Sequence, residues 1–435
     1  MGTDELWRAP VAASPVHGVV SVPGSKSATN RALVLAALAD APSHLRKPLL
    51  ARDTRLMASA LRAMGTRIDE VPAAEGMGWL VTPRVLRGPA SVDCGLAGTV
   101  MRFVPVVATL ADGEVTFDGD PHARVRPMRT MIEAIRSLGV DIDDEGRGTL
   151  PFTVHGKGGV SVDEVVVDAT ASSQFVSALM LAAARFDNGC VIQHRGGAIP
   201  SMPHLDMSVG MLRERGVTVD VDASDPTNAR WTVRPGEIAG LDCTIEPDLS
   251  NAAPFLAAAM VTGGSVSVRD WPSETTQPGD ALRDVFSRMG AAVTLEGGLL
   301  TVTGPETLLG VDLDPRDVGE LTPVVAAVCA LASTRSQLRG IAHLRGHETD
   351  RLAALATEIN RVGGNATETE DGLIIEPSDN WRAAEFETYA DHRMATAGAV
   401  IGLRVPGIDV IDIATTAKTL PDFAAMWTDL LAGRS

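Results

Sequence analysis

Apolar helical stretches that stop on a glycine and pass straight into alternating residues recur along the whole chain. Leu61-Arg62-Ala63-Met64-Gly65-Thr66-Arg67-Ile68 reads as a helix end, a glycine stop and a strand start, and the same grammar returns at 135–142, 212–219, 286–290 and 359–363. The glycines fall at 65, 139, 216, 290 and 363, about 73 to 77 residues apart, and one further step lands on Leu430-Leu431-Ala432-Gly433. Glycine enters the left-handed conformation that ends a helix, which a Cβ resists. One glycine-stopped helix says little. Six near-even steps predict six copies of one α/β unit, each with short strands and two helices.

A chain of 435 residues is too long for one ordinary core. Six copies divide most simply into two lobes of three, one over 24–244 and the other over 1–23 with 245–435. Two segments mark the crossings. Val22-Pro23-Gly24-Ser25-Lys26-Ser27-Ala28-Thr29-Asn30-Arg31 leads into the apolar run 32–38, and Ile245-Glu246-Pro247-Asp248-Leu249-Ser250-Asn251 leads into the apolar run 252–260. Clefts between lobes are preferred ligand sites, so a two-lobe clamp is expected to hold its ligand there.

The first crossing segment carries the strongest chemical signal. Small hydroxyl residues feeding a helix start leave backbone N–H groups beside a positive dipole end, and Lys26 and Arg31 add charge. That suits a phosphate or carboxylate. The Gly-x-x-x-x-Gly-Lys-Ser/Thr spacing of a nucleoside-triphosphate loop is absent.

Comparable turns follow. Leu96-Ala97-Gly98-Thr99-Val100-Met101-Arg102 opens a helix with small residues and an early arginine; Pro121–Arg129 holds Arg124, Arg126 and Arg129; Ser172-Ser173-Gln174 follows the strand Glu164–Val167. Ser201 and His204 lie in a proline-pinned loop. Arg345-Gly346-His347-Glu348-Thr349-Asp350-Arg351 mixes both charges before a helix, and Ala390-Asp391-His392-Arg393-Met394 resembles it. Glu320 lies between apolar stretches, where desolvation would make it a better base. Lys418 stands among hydroxyls and proline with no carboxylate at helical spacing, as suits a proton carrier. Taken singly, most of these read equally well as helix caps, solvated basic faces or salt-bridged helix starts.

Composition narrows the partners. A formal charge of −17 speaks against a general nucleic-acid or membrane-surface role, though a local cationic pocket remains compatible. Cys94, Cys190, Cys243 and Cys329 lack metal-type spacing and read as buried free thiols in a reducing compartment. Met1-Gly2-Thr3-Asp4-Glu5 shows no cationic start or apolar leader, and no stretch is long enough to span a bilayer, so a cytoplasmic protein is expected.

Together the motifs Pro-Gly-Ser-Lys-Ser-x-x-Asn-Arg, Ala-Gly-Thr-x-x-Arg, Ser-Ser-Gln-Phe, Glu-Thr-Asp-Arg-Leu, Asp-His-Arg-Met and Ala-Lys-Thr-x-Pro-Asp carry a family likeness from Pro23 to Asp422. The chain resembles the 5-enolpyruvylshikimate-3-phosphate synthases, the enolpyruvyl transferases of the shikimate pathway and the targets of glyphosate. The resemblance implies two lobes of three βαβαββ units, an inside-out α/β barrel, with the active site in the inter-lobe cleft. It implies transfer of the enolpyruvyl group of phosphoenolpyruvate to the 5-hydroxyl of shikimate 3-phosphate, without metal or cofactor, by a monomer.

By the same resemblance Lys26, Ser27, Arg31, Ser172, Ser173, Gln174, Ser201, Glu320 and His347 hold shikimate 3-phosphate. Lys26, Gly98, Arg126, Gln174, Arg351, Arg393 and Lys418 surround phosphoenolpyruvate. Glu320 takes the proton of the 5-hydroxyl, Glu348 delivers one to the methylene carbon, and Lys26 and Lys418 complete the catalytic set. The chain departs from the commonest bacterial pattern at Glu320 (often aspartate), His347 (often lysine), His204 (often tyrosine) and Phe103 (often proline). A UDP-N-acetylglucosamine enolpyruvyl transferase is the nearest rival, but it carries Lys-Asn where this chain has Lys26-Ser27, and a loop cysteine that 112–129 lack. A repeat-built DNA clamp is the rival outside enzymes, and salt-dependent DNA retention would detect it.

Overall fold

The computed structural model describes residues 6–73 and 76–434; Met1–Glu5, read above as free of a leader pattern, lie outside the described residues. The chain divides into two compact units, Gly24–Glu246 and a second made of the stretches up to Pro23 and from Pro247 onward. Each has its own aliphatic core. Among the few aromatics, Phe255, Phe423 and Trp427 pack with ring centroids 5.4–5.9 Å apart.

The unit Gly24–Glu246 contains α1 (Lys26–Ala37), α2 (Arg52–Ala63), α3 (Gly98–Ala108), α4 (Arg129–Ser137), α5 (Gln174–Ala183) and α6 (Pro203–Glu214). Two of its copies run continuously. Ala90–Asp93, α3, Asp112–Asp118, α4, Asp141–Asp143 and Phe152–Lys157 give a sheet with one parallel pair and two antiparallel ones. Glu164–Val167, α5, Cys190–His194, α6, Val219–Asp222 and Arg230–Val233 repeat it. The third copy is split: its opening strand Cys243–Thr244 comes from the far end of the unit and lies parallel to Ser43–Arg46.

The other unit contains α7 (Leu249–Thr262), α8 (Leu282–Arg288), α9 (Thr322–Ala330), α10 (Arg351–Arg361), α11 (His392–Gly402) and α12 (Phe423–Leu431). It too has a split copy, because His17–Val20 pairs in parallel with Ser265–Val268. Its last sheet has three strands, with Leu6–Arg8 antiparallel to Ile408–Ile411. The periodicity thus corresponds to six sheets and twelve α-helices among the described residues. Three copies take a strand from far along the chain, which glycine spacing alone does not register.

The two helices of a copy differ in kind. The first, α1, α3, α5, α7, α9 or α11, is buried along nearly its whole length, as from Thr99 to Ala108 in α3. Helices apolar all round belong in a core. The second carries only a buried stripe, Met131, Ile132, Ala134 and Ile135 in α4. The polar and charged starts singled out above occur on both kinds: Lys26, Gly98 and Gln174 open buried helices, while Arg129 and Arg351 open striped ones.

The six repeat glycines all have positive φ, between 65° and 109°. Their surroundings differ. A Cβ on Gly139 (φ 77°) would meet nothing within 4 Å, whereas one on Gly363 (φ 94°) would lie 2.0 Å from the Asn380 carbonyl oxygen. Gly139→Ala is therefore expected to cost only the conformational term, about 1–2 kcal/mol, and Gly363→Ala clearly more. Urea unfolding of the two variants checks the order.

Candidate active site

In the unit Gly24–Glu246, Ser25 caps α1 by accepting from the Ala28 N–H at 3.3 Å, which leaves Lys26 as the first helical residue. The Lys26 ammonium lies 3.8 Å from the nearly buried Asp53 carboxylate and keeps about a fifth of its side chain exposed, 19%. Ser27 follows in the same turn.

Arg31, one turn further, is only 1% exposed. Its guanidinium donates to Ser208 Oγ at 2.8 Å, Ser177 Oγ at 3.2 Å and the carbonyls of Ser27 and His204 at 3.1 and 3.0 Å. It also lies over the Phe103 ring, 5.3 Å from the centroid. Arg31 thus ties α1 to α5 and α6. Two of the departures have their place here: Phe103 supplies that ring face, and His204 contributes its backbone carbonyl.

The start of α3 is flanked by guanidinium groups. A Cβ on Gly98 would sit 3.0 Å from Arg102 Nη1 and 3.3 Å from Arg126 Nη1, so a methyl group there would push both guanidinium groups back by a few tenths of an ångström. Arg102 donates to the Gly98 carbonyl and approaches Gln174 Oε1 at 3.4 Å, and it lies 5.6 Å from the Phe175 ring centroid. Arg126 reaches the Leu96 carbonyl at 3.5 Å. Free N–H groups at a helix start beside cations favour an anion. At the start of α5, Ser172 Oγ accepts from the Gln174 N–H, Ser173 is buried, and Gln174 is the first helical residue. Ser201 precedes α6 with a positive φ of 58°, unusual for a residue with a Cβ, and is half-buried.

The other unit gathers the second set. Glu348 is held between two cations: Lys418 Nζ donates to Oε1 at 2.5 Å and Arg351 Nη2 to Oε2 at 2.8 Å. Arg351 also donates to Asp391 at 2.7 and 3.2 Å and to His347 Nδ1 at 3.3 Å. Burial opposes the Arg351 charge, but Asp391 and Glu348 outweigh it and hold its pKa above the ordinary arginine value. Glu320 accepts from Ser250 Oγ at 2.9 Å and from Arg393 Nη2 at 3.2 Å. Asp391 caps α11 by accepting from the Arg393 N–H at 2.9 Å. Thr419, beside Lys418, is tied to Asn251 at the start of α7. His343 lies 5.8 Å from the His347 ring; burial, then the positive charges of Arg351 and Arg316, push its pKa down to about 4, so it is neutral at physiological pH.

Two expectations need correcting. Glu320 is not enclosed by apolar neighbours: its side chain is 22% exposed and paired with Arg393. The apolar residues around it in sequence belong to the 3₁₀ turn and to α9, which point them into the core. Lys418 is not without a carboxylate: Asp422 stands four positions on in the sequence, and the partner it takes, Glu348, lies 70 positions away. Sequence reasoning also passed over Asp53, Arg102, Ser250 and Asp391 as site residues. Arg102 and Asp391 had a readable signal, four residues after Gly98 and at a helix N-cap; Asp53 and Ser250 had none of comparable strength.

Among the described residues no three histidine, cysteine or carboxylate side chains are grouped as a metal would require, and no helix is long and apolar enough to cross a membrane. The four cysteines are free thiols; three are buried and Cys243 is half-buried. Burial pushes the thiols of Cys190 and Cys329 up to about 12, which leaves them unreactive.

Comparison with known proteins accounts for the arrangement. The sequence model of the family EPSP synthase (3-phosphoshikimate 1-carboxyvinyltransferase) matches residues 11–427. The chain belongs to the EPSP synthase family. A curated 3-phosphoshikimate 1-carboxyvinyltransferase from Kocuria rhizophila is 57% identical over 98% of this chain and 97% of its own length. An EPSP synthase structure from Acinetobacter baumannii has 26% identity and a TM-score of 0.79, covering 97% of each chain. The enolpyruvyl transferase NikO from Streptomyces tendae shares the fold at 16% identity, with a TM-score of 0.71 over 97% of this chain and 96% of its own. The mixed α/β architecture is thus that of EPSP synthases and other enolpyruvyl transferases.

Proposed function

We infer that this EPSP synthase family member transfers the enolpyruvyl group of phosphoenolpyruvate to the 5-hydroxyl of shikimate 3-phosphate, with release of phosphate. The observation that carries the mechanism is the Glu348 carboxylate held between Lys418 and Arg351. That contact sets the exchangeable protons of Lys418 against a carboxylate, beside cations able to hold an anionic donor.

In the proposed reaction Glu320 removes the 5-hydroxyl proton while the oxygen bonds to C2 of phosphoenolpyruvate. Glu348, supplied by Lys418, delivers a proton to C3, and the double bond becomes a tetrahedral phosphorylated ketal. In the second half a proton leaves C3, the C2–O bond to phosphate breaks and the enol ether forms. Each positioned proton transfer is worth about 10²–10⁴-fold. Lys26, Gly98, Arg126, Gln174, Arg351 and Arg393 are assigned to phosphoenolpyruvate, where charge stabilisation by fixed donors is the main requirement. Lys26, Ser27, Ser172, Ser173, Gln174, Ser201, Glu320 and His347 are assigned to shikimate 3-phosphate. Arg31 belongs with them as the post that fixes Ser27 and the start of α6, since its guanidinium is turned inward.

The test is phosphate release from phosphoenolpyruvate by purified protein, with shikimate 3-phosphate or UDP-N-acetylglucosamine as acceptor. Release with shikimate 3-phosphate alone is expected. Release with the nucleotide sugar alone would keep the fold and donor but overturn the acceptor, and no release with either would overturn the reading.

A further inference from the structure

The charged network around Arg351 depends on Asp391, and Asp391 sits in an unusual piece of backbone. Tyr389 and Ala390, the two residues before it, both have a φ of 54°, a conformation that side chains with a Cβ rarely adopt. Two such residues in succession persist only where the surroundings hold them. The Asp391 N–H donating to the Thr388 carbonyl at 2.9 Å closes the turn but does not fix it to the rest of the unit.

Glu358 does. It is a fully buried carboxylate (0% exposed) in α10, seven residues or about two helical turns beyond Arg351 and so on the same side of the helix. Its Oε1 accepts from the Tyr389 hydroxyl at 2.7 Å and its Oε2 from the Glu387 N–H at 3.0 Å. Arg361 lies 3.2 Å from Oε1. The turn is therefore pinned to α10 twice, by Glu358 at one end and by Arg351 gripping Asp391 at the other. Asp391 in turn orients Arg351 toward Glu348 and Lys418, and through its cap sets the start of α11 that carries Arg393 toward Glu320. A buried carboxylate is costly unless it is paired and hydrogen-bonded, and two of the three partners that hold Glu358, the Tyr389 hydroxyl and the Glu387 N–H, belong to this turn and the strand end before it.

We propose that Glu358 and Tyr389 are positioning residues for the reaction: they hold the left-handed turn that aims Asp391, and through it Arg351 and Arg393, at phosphoenolpyruvate. This rests on the assignment of those two arginines to the enolpyruvyl donor. In this role both act through the two arginines rather than on the substrates themselves.

The experiment is steady-state kinetics of the full chain, with each substrate varied in turn, on the parent, Tyr389→Phe and Glu358→Gln. Tyr389→Phe removes one hydroxyl and is the safer variant to fold. Misplacement of a binding group by about 1 Å can cost about 10²-fold. The expected result is a fall of about tenfold in kcat/KM for phosphoenolpyruvate in Tyr389→Phe and a larger one in Glu358→Gln, with the KM for shikimate 3-phosphate unchanged within about twofold. Tyr389 is the only tyrosine of the chain, so ring-¹³C-tyrosine labelling gives one signal, expected to shift when phosphoenolpyruvate joins the shikimate 3-phosphate complex. Folded Tyr389→Phe protein with parental constants for both substrates would overturn the proposal. So would a rise in both KM values together, which marks general loosening. An inactive parent would instead indict the functional reading itself.

Discussion

Glu348→Gln is expected to lower turnover by about 10²–10⁴-fold, the usual worth of a positioned proton donor, while the protein stays folded. Glutamine preserves the size of the side chain and can still accept from Lys418 or Arg351, the two groups that hold Glu348 at 2.5 and 2.8 Å. It cannot pass a proton to carbon. Removing the carboxylate leaves the neighbourhood more positive, so the KM for phosphoenolpyruvate should not rise. Proton transfer to C3 has a direct signature as well. In deuterated water the parent should place deuterium on the methylene carbon during turnover, and the variant should do so far more slowly. Unchanged turnover in Glu348→Gln would remove this residue from the mechanism and leave Lys418 as the donor to test.

Arg351→Leu is expected to be the most damaging single change to stability. The Arg351 guanidinium is buried between two carboxylates, Asp391 at 2.7 Å and Glu348 at 2.8 Å. Leucine would take the guanidinium from the fully buried Asp391 carboxylate and leave Glu348 with Lys418 alone. Breaking a buried pair from one side costs about 3–5 kcal/mol, a large part of the stability of an ordinary domain. Chemical denaturation reads the loss. Adding Asp391→Asn to Arg351→Leu should cost less than the sum of the two single changes, because each single variant strands the charge of the other partner and the double variant removes both. Additive losses would mean that Arg351 and Asp391 do not stabilise one another.

How far such a site can be read from sequence depends on the range of the signal. Lys26, Ser27, Gly98, Ser172, Ser173, Gln174 and Arg351 were legible because each stands at the start of a helix, where cap and charge patterns are local. Glu348 and Lys418 were legible as chemistry but not as a pair. Glu320 was placed in the wrong environment for the same reason: its neighbours in sequence are apolar, while its neighbours in space are Ser250 and Arg393. Glu358, the single acidic residue of α10, gives no local sign of its burial or of its hold on Tyr389.

The sequence by itself determined the repeat, the two kinds of helix, the glycine stops and the run of polar helix starts. All of these follow from local conformational preference and from the period of the apolar pattern, which act over a few residues. Tertiary structure decided which strands complete the three split copies, turned Arg31 inward, brought Lys418 to Glu348 and bent the backbone before Asp391. Those outcomes require groups tens to hundreds of positions apart to meet in a common environment. There the balance between desolvation and pairing, which no local pattern encodes, selects the arrangement.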